Sequence, residues 1–294
     1  MEKAVYHLPG LFEFYDFYRK FLPIYREKTE YFYDWCQIGS LYGAPADCLW
    51  AGGRVSNGNA DPRQVLALTE EYGLSARLTF SNSLLRPEHL KDPKCNRLCA
   101  LFGAEPGNGV IVHSELLLDY LKEKYPDFYF VSSTTKVLTD FEDLAAETER
   151  PDFRYVVPDF RLNKAFDRLA GLKEKRKVEF LCNECCWPGC RERKECYENV
   201  SRKNLGERCP DHICAAPEGE KGYRFSTAMK NPAFIGIRDI RETYLPMGFS
   251  QFKIEGRGLG SAMLLEFILY YLTKPEYQLP LREEMYLDSM LDLF

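Results

Sequence analysis

The chain has 294 residues, with 39 Lys plus Arg against 44 Asp plus Glu for a net charge of −5. That balance argues against a bulk nucleic-acid coat protein or a membrane-surface protein, both of which need a clear positive excess. With 45% apolar and 28% charged residues, the usage is that of an ordinary globular chain, and disorder and collagen-like repeats are excluded.

The first 45 residues are the least regular. Residues 11–35 hold eleven aromatics, with Phe14, Phe17, Phe21 and Tyr25 at helical spacing, so one face of this segment is expected to be buried. Residues 1–45 read as an N-terminal helical cap. No early stretch combines a basic start, an apolar run and a small-residue cleavage site, so a cytoplasmic location is expected.

From residue 46 onward, β-rich runs alternate with helical patterns, the signature of a parallel sheet joined by crossover helices. Eight runs are predicted strands: 47–51, 76–80, 109–113, 128–131, 154–157, 178–181, 223–225 and 251–254. Helices are predicted over 62–72, 114–124, 141–148, 164–170, 191–203 and 260–273. The expected fold is therefore α/β, a (β/α)8 TIM-type barrel over 46–274 with a cysteine-rich insertion at 182–214. Residues 275–294 follow as an amphipathic C-terminal helix, packed on its own barrel or on a second copy in a homodimer. The most apolar run, Ala262 to Leu272, is too short to span a bilayer and is broken by Glu266, so no membrane association is expected.

Each predicted strand stops in a polar cluster where a barrel keeps its active face. These clusters include Gly52-Gly53-Arg54, Ser81-Asn82, His113, Ser132 to Lys136, Asp159 with Arg161, Asn183-Glu184, Ser226-Thr227, and Glu255 with Arg257. Arg54, Lys136, Arg161, Lys253 and Arg257 are thus expected near one mouth, beside Glu184, and such convergence favours a small anionic substrate. The competing expectation is that some of them form barrel-end ion pairs with Asp159, Glu184 and Glu255.

Eleven cysteines are the anomaly of the composition, and seven of them, Cys182, Cys185, Cys186, Cys190, Cys196, Cys209 and Cys214, fall within 33 positions. In a reducing compartment such crowding reads as metal binding or redox chemistry before disulfides. Four thiolates satisfy either tetrahedral zinc or a 4Fe-4S cluster. Zinc sites usually show two tight Cys-x-x-Cys pairs, and here only Cys182 with Cys185 has that spacing. Irregular spacing in loops marked by Pro188, Gly189, Pro210 and Pro217 suits an iron–sulfur cluster better. Cys186, Cys190, Cys209 and Cys214 are the expected ligands, with Cys182, Cys185 and Cys196 as alternatives; zinc and unliganded thiols stay open. His212 is a weaker ligand candidate, and Cys95 and Cys99 read as small buried residues on one helix face.

The run Phe252-Lys253-Ile254-Glu255-Gly256-Arg257, preceded by Tyr244 and Gly248, resembles the hallmark of the collagenase-like peptidase family of TIM barrels. Asn183-Glu184 followed by Cys186 and Cys190 resembles the same family's strand-six cysteine segment, so the resemblance covers residues 178–257. It implies a barrel whose cysteines hold a 4Fe-4S cluster at the mouth. It also implies oxygen-independent hydroxylation, or a related modification, of a small anionic substrate or a nucleobase. The catalytic set expected from the convergence at the barrel mouth is Arg54, Lys136, Glu184, Lys253 and Arg257. Peptidase chemistry is not expected, because the chain shows no obvious arrangement of nucleophile, base and oxyanion donors. The cysteines are more numerous and more tightly spaced than the family's set, which leaves the fourth ligand open.

Residues 173–208 carry ten Lys plus Arg against seven acids, a local +3 that makes RNA a second candidate partner. The alternative function is a zinc-stabilised barrel serving as a binding or scaffold protein. The fold alone does not separate these readings.

Overall fold

The computed structural model describes residues 2–53, 58, 60–104, 106–217, 219 and 222–291, the side chains of 287–291 excepted. Eight parallel strands form one sheet: β1 (Ala4–Pro9), β2 (Cys36–Gly43), β3 (Ser75–Phe80), β4 (Gly109–Val112), β5 (Tyr129–Ser132), β6 (Phe153–Val156), β7 (Glu179–Leu181) and β8 (Gln251–Lys253). Their order is β6-β5-β4-β3-β2-β1-β8-β7, and a parallel bridge between Val156 and Val178 links the two ends into a barrel. The crossover helices include α1 (Tyr15–Glu27), α2 (Pro62–Glu71), α3 (Pro93–Phe102), α4 (Glu115–Lys124), α5 (Phe141–Glu149), α6 (Phe166–Ala170) and α7 (Arg193–Asn204). The expected TIM-type barrel is present, and six of the eight predicted strands fall on β3 to β8; the first and the seventh do not form among the described residues.

Two corrections concern the elements. Residues 1–45 are not a helical cap: they supply β1, α1 and β2, and β1 pairs with both β2 and β8 in the middle of the sheet. The aromatic face does bury, with Tyr18 and Phe21 fully enclosed, but it does so as the first crossover helix, where each such ring is worth roughly 1.5–3 kcal/mol. The predicted strands 47–51 and 223–225 are instead turn and coil leading into the short helix Phe225–Ala228. Cys48, Trp50 and Ala51 are buried, so the apolar run was a sound sign of burial and a poor sign of conformation.

Side chains alternate across the strands. Outward residues such as Tyr6, Leu78, Phe180 and Phe252 join the large core beneath the helices. Inward residues fill the barrel in layers. Tyr42, Ile111, Val131, Val157 and Leu181 form a separate apolar cluster inside it, and below that cluster lie His7, Arg77, Glu179 and Gln251. The C-terminal helix Gln278–Leu291 follows as expected and packs on its own barrel: Leu281 and Met285 are buried, Glu284 pairs with Lys28 at 2.6 Å and Arg282 with Glu266 at 3.0 Å. No described helix is long and apolar enough to cross a membrane.

Candidate active site at the barrel mouth

The carboxyl ends of the strands enclose a cavity of about 410 Å³. Tyr42, Ile111, Leu181 and Leu259 give it apolar walls; Thr79, Ser81, Ser133, Thr134, Glu184, Lys253, Glu255 and Arg257 supply polar groups. This combination of apolar lining and a few convergent polar atoms is that of a small-molecule site. The Oγ1 atoms of Thr79 and Thr134 are buried and make no hydrogen bond among the described residues. Gly52 belongs to the loop after β2, and a Cβ there would lie 2.3 Å from the Ser81 carbonyl oxygen. Gly52 therefore serves a close backbone approach that closes one wall of the cavity.

Beneath the cavity is a buried charge network. Arg77 Nη1 donates to Glu179 Oε2 at 2.5 Å, and its Nε donates to the Tyr129 hydroxyl at 2.7 Å. Lys253 Nζ stands 3.4 Å from Glu179 Oε1 and 3.6 Å from the centroid of Tyr42. His7 is held by Ser40 at 2.8 Å and Gln251 at 3.0 Å. Burial opposes ionisation of Glu179, but Arg77, His7 and Lys253 outweigh it and hold the carboxyl well below the usual range. Burial likewise drives His7 down to about 3, with Arg77 adding to the fall, so the imidazole is neutral.

A second network fixes the rim. Glu184 accepts from the backbone N–H groups of Cys185 at 2.9 Å and Cys186 at 3.1 Å, and from Arg193 Nη2 at 2.5 Å. Arg193 is buried, stacks against Phe160 and Tyr197, and approaches Asp159 at 3.4 Å. Burial opposes its charge, while Glu184, Tyr197 and Cys186 favour it and prevail. Asp159 accepts from Arg161 at 2.6 Å, and Arg161 Nη1 donates to the Cys190 carbonyl at 2.8 Å. Asn231 donates to the Cys186 carbonyl at 3.0 Å. The loop bearing Cys186 and Cys190 is thus pinned at both cysteines.

Asn183 joins the two segments that carry the family resemblance: its amide donates to the Glu255 carbonyl at 3.0 Å and accepts from the Glu255 N–H at 2.7 Å. Donor atoms of Glu184, Cys185 and Glu255 consequently lie within 4.8 Å of one another. Glu184 is already engaged by Arg193 and two backbone N–H groups, so a cation at this corner would compete with them for its carboxylate.

Lys253, Glu184 and Arg257 meet at the cavity as expected, and Arg257 pairs with Glu13 at 2.8 Å. Arg54 lies outside the described residues. Lys136 does not converge: its ammonium turns to Glu147 at 2.7 Å and Glu115 at 2.9 Å, away from the mouth. Arg161 forms the expected barrel-end ion pair. Of the remaining cysteines, Cys182 is fully buried below the rim, whereas Cys196 lies on α7 and Cys209 contacts Asn199 of that same helix at 3.7 Å. His212 approaches Glu192, just beyond Cys190, at 3.5 Å, so the segment 209–212 runs back along α7 toward the cysteine loop. Cys95 and Cys99 are buried, with Cys48 Sγ 3.0 Å from Cys95 Sγ. Four of the ten basic residues of 173–208 are in ion pairs, Lys173 with Glu149, Arg176 with Glu2, Arg193 with Glu184 and Lys203 with Asp211.

His7, Tyr42, Arg77, Glu179 and Arg193 were missed as site residues. Arg77 and Glu179 did leave a signal, since each is a charge inside a predicted buried strand and therefore needs a partner.

No family model matches the chain, and no curated protein does. Among solved structures it is similar to the U32 peptidase Mk0906, with a TM-score of 0.56 and 15% sequence identity over 87% of this chain and 94% of that one. U32 is the collagenase-like group to which the motif resemblance points, and a likeness at this identity establishes the shared barrel fold.

Proposed function

We propose that this chain is a barrel enzyme that binds a small anionic substrate in the mouth cavity and carries a 4Fe-4S cluster on Cys186, Cys190, Cys209 and Cys214. The reaction proposed is oxygen-independent hydroxylation or a related modification. The observation that carries this reading is the cysteine loop fixed at the cavity rim by Glu184, Arg193, Asp159 and Arg161. Ligand loops held by outer hydrogen bonds are what a metal centre requires. The donor types suit such a group, with soft thiols on a pinned loop and on a segment returning along α7, but among the described residues no three of these four thiols lie within 4.8 Å of one another, so binding would have to draw the two segments together. A cluster bound there would supply one-electron or Lewis-acid chemistry.

The chain's own residues bind and orient. Lys253 and Arg257 give the cavity a positive field, and the Thr79 and Thr134 hydroxyls supply unspent donors. Tyr42, Ile111, Leu181 and Leu259 exclude water and so strengthen those contacts. Anaerobic purification followed by iron, zinc and acid-labile sulfide analysis tests the centre. Near-equal iron and sulfide, lost in Cys190→Ser, is the expected result. Stoichiometric zinc without sulfide replaces the enzyme with the zinc-stabilised scaffold.

A further inference from the structure

Lys253 is the cavity cation whose surroundings least favour a charge. It is 5% exposed, its Nζ lies over the Tyr42 ring, and it lines the apolar floor. The carboxylate it reaches, Glu179, is already committed to Arg77 at 2.5 Å and stands 3.4 Å from Nζ. With His7 neutral, the enclosed set Arg77, Lys253 and Glu179 carries a surplus positive charge as long as Lys253 is protonated. Such a surplus is relieved in two ways: an anion enters, or the lysine gives up its proton.

We propose that Lys253 is a nucleophile, its neutral amine adding to the carbonyl carbon of a small 2-oxo acid to form an imine. The amine lone pair forms the C–N bond, and both N–H hydrogens leave with the carbonyl oxygen as water. No oxidant or reductant is consumed. A 2-oxo acid suits the site because its carboxylate offsets the surplus charge and its carbonyl oxygen meets hydroxyl donors. Those donors are the Oγ1 atoms of Thr79 and Thr134, buried and without a hydrogen bond among the described residues. Lysines are made nucleophilic by desolvation and by neighbouring cations. Burial lowers the Lys253 pKa to about 8, with Glu179 opposing and Arg77 and Arg257 adding to the fall. Roughly a tenth of the amine is therefore neutral at pH 7. The groups facing it are His7 from β1, Tyr42 from β2, Arg77 from β3, Glu179 from β7, and Arg257 beyond β8.

This inference rests on the mouth cavity being the anion site and is independent of the metal centre. The test incubates the full chain with pyruvate and cyanoborohydride and maps the reduced adduct by peptide mass spectrometry. The expected adduct is on Lys253, grows as pH rises through about 8, is lost in Lys253→Arg, and is suppressed in the unaltered chain by prior addition of lactate. Labelling confined to exposed lysines such as Lys173 overturns the proposal. If pyruvate and lactate both raise the melting temperature while no Lys253 adduct forms, the imine is refuted and the anion site stands. If neither ligand shifts melting and no adduct forms, both fall.

Discussion

The floor of the barrel and its rim each hold a buried ion network, yet the two are built for different ends. On the floor, Arg77, Glu179, His7 and Lys253 project from strands of the barrel itself, and the central carboxylate has three basic neighbours. At the rim, Glu184, Arg193, Asp159 and Arg161 aim much of their hydrogen bonding at backbone atoms of the cysteine loop. The floor network satisfies itself and leaves Lys253 with a weak partner. The rim network gives shape to a loop that has little regular structure. Buried charge thus stabilises nothing by default; what it does depends on whether it ends on other charges or on the chain.

The sharpest way to break this contrast is to remove the acid from each network. Glu179→Ala leaves Arg77 and Lys253 buried without a carboxylate, and unfolding in denaturant should register a loss of about 3–5 kcal/mol. Glu184→Ala removes two backbone contacts and one partner of Arg193, which still has Asp159 nearby, so about 1–3 kcal/mol is expected. The rim variant should also become more open to thiol alkylation at Cys186. Equal losses, or a rim variant with unchanged thiol reactivity, would erase the distinction.

Titration sharpens it next. The folded pKa of His7 is depressed to about 3 from an ordinary 6.5, chiefly by burial. Between those values the unfolded chain binds a proton that the folded chain refuses, so stability is full above 6.5 and falls as pH drops. Glu179, also held low, adds a further loss below its ordinary range. His113, lowered to about 4 by burial and then by Lys136, contributes over part of the same window. His7→Gln should therefore flatten the fall in melting temperature between pH 6.5 and 4 without abolishing it. An unchanged slope would mean that the floor does not set the acid sensitivity.

Much of this architecture was legible in the sequence, and the failures share a physical cause. Runs such as Gly109 to Val112 and Phe128 to Val131 declare themselves because a strand buried on both faces is close to continuously apolar. β1 and β2 hide because several of their inward positions are polar or small, Val5 and Tyr42 aside: His7, Ser40 and Gly39 serve the floor network and the close packing around it. The functional interior is what made those strands look unlike strands. The rim was easier to read, since Asn183-Glu184 and the cysteines are adjacent in sequence, while the partners that pin them, Arg161 and Asn231, come from far along the chain.

Lys136 gives the smallest expected effect and separates position along a strand end from participation in the site. It follows β5 at the carboxyl side, as a site residue should, yet its ammonium lies 4.9 Å from the Phe153 ring and within reach of Glu147 and Glu115, which Arg150 also engages. Those partners belong to the helical layer outside the barrel. A partly exposed pair inside such a network is worth about 1 kcal/mol or less, so Lys136→Ala should lower stability by no more than that. Because the Thr134 and Thr135 side of the same turn is what lines the cavity, pyruvate binding by the variant should equal that of the unaltered chain. A several-fold loss of binding would place Lys136 in the mouth and show that the outer ion pairs give way when the cavity fills.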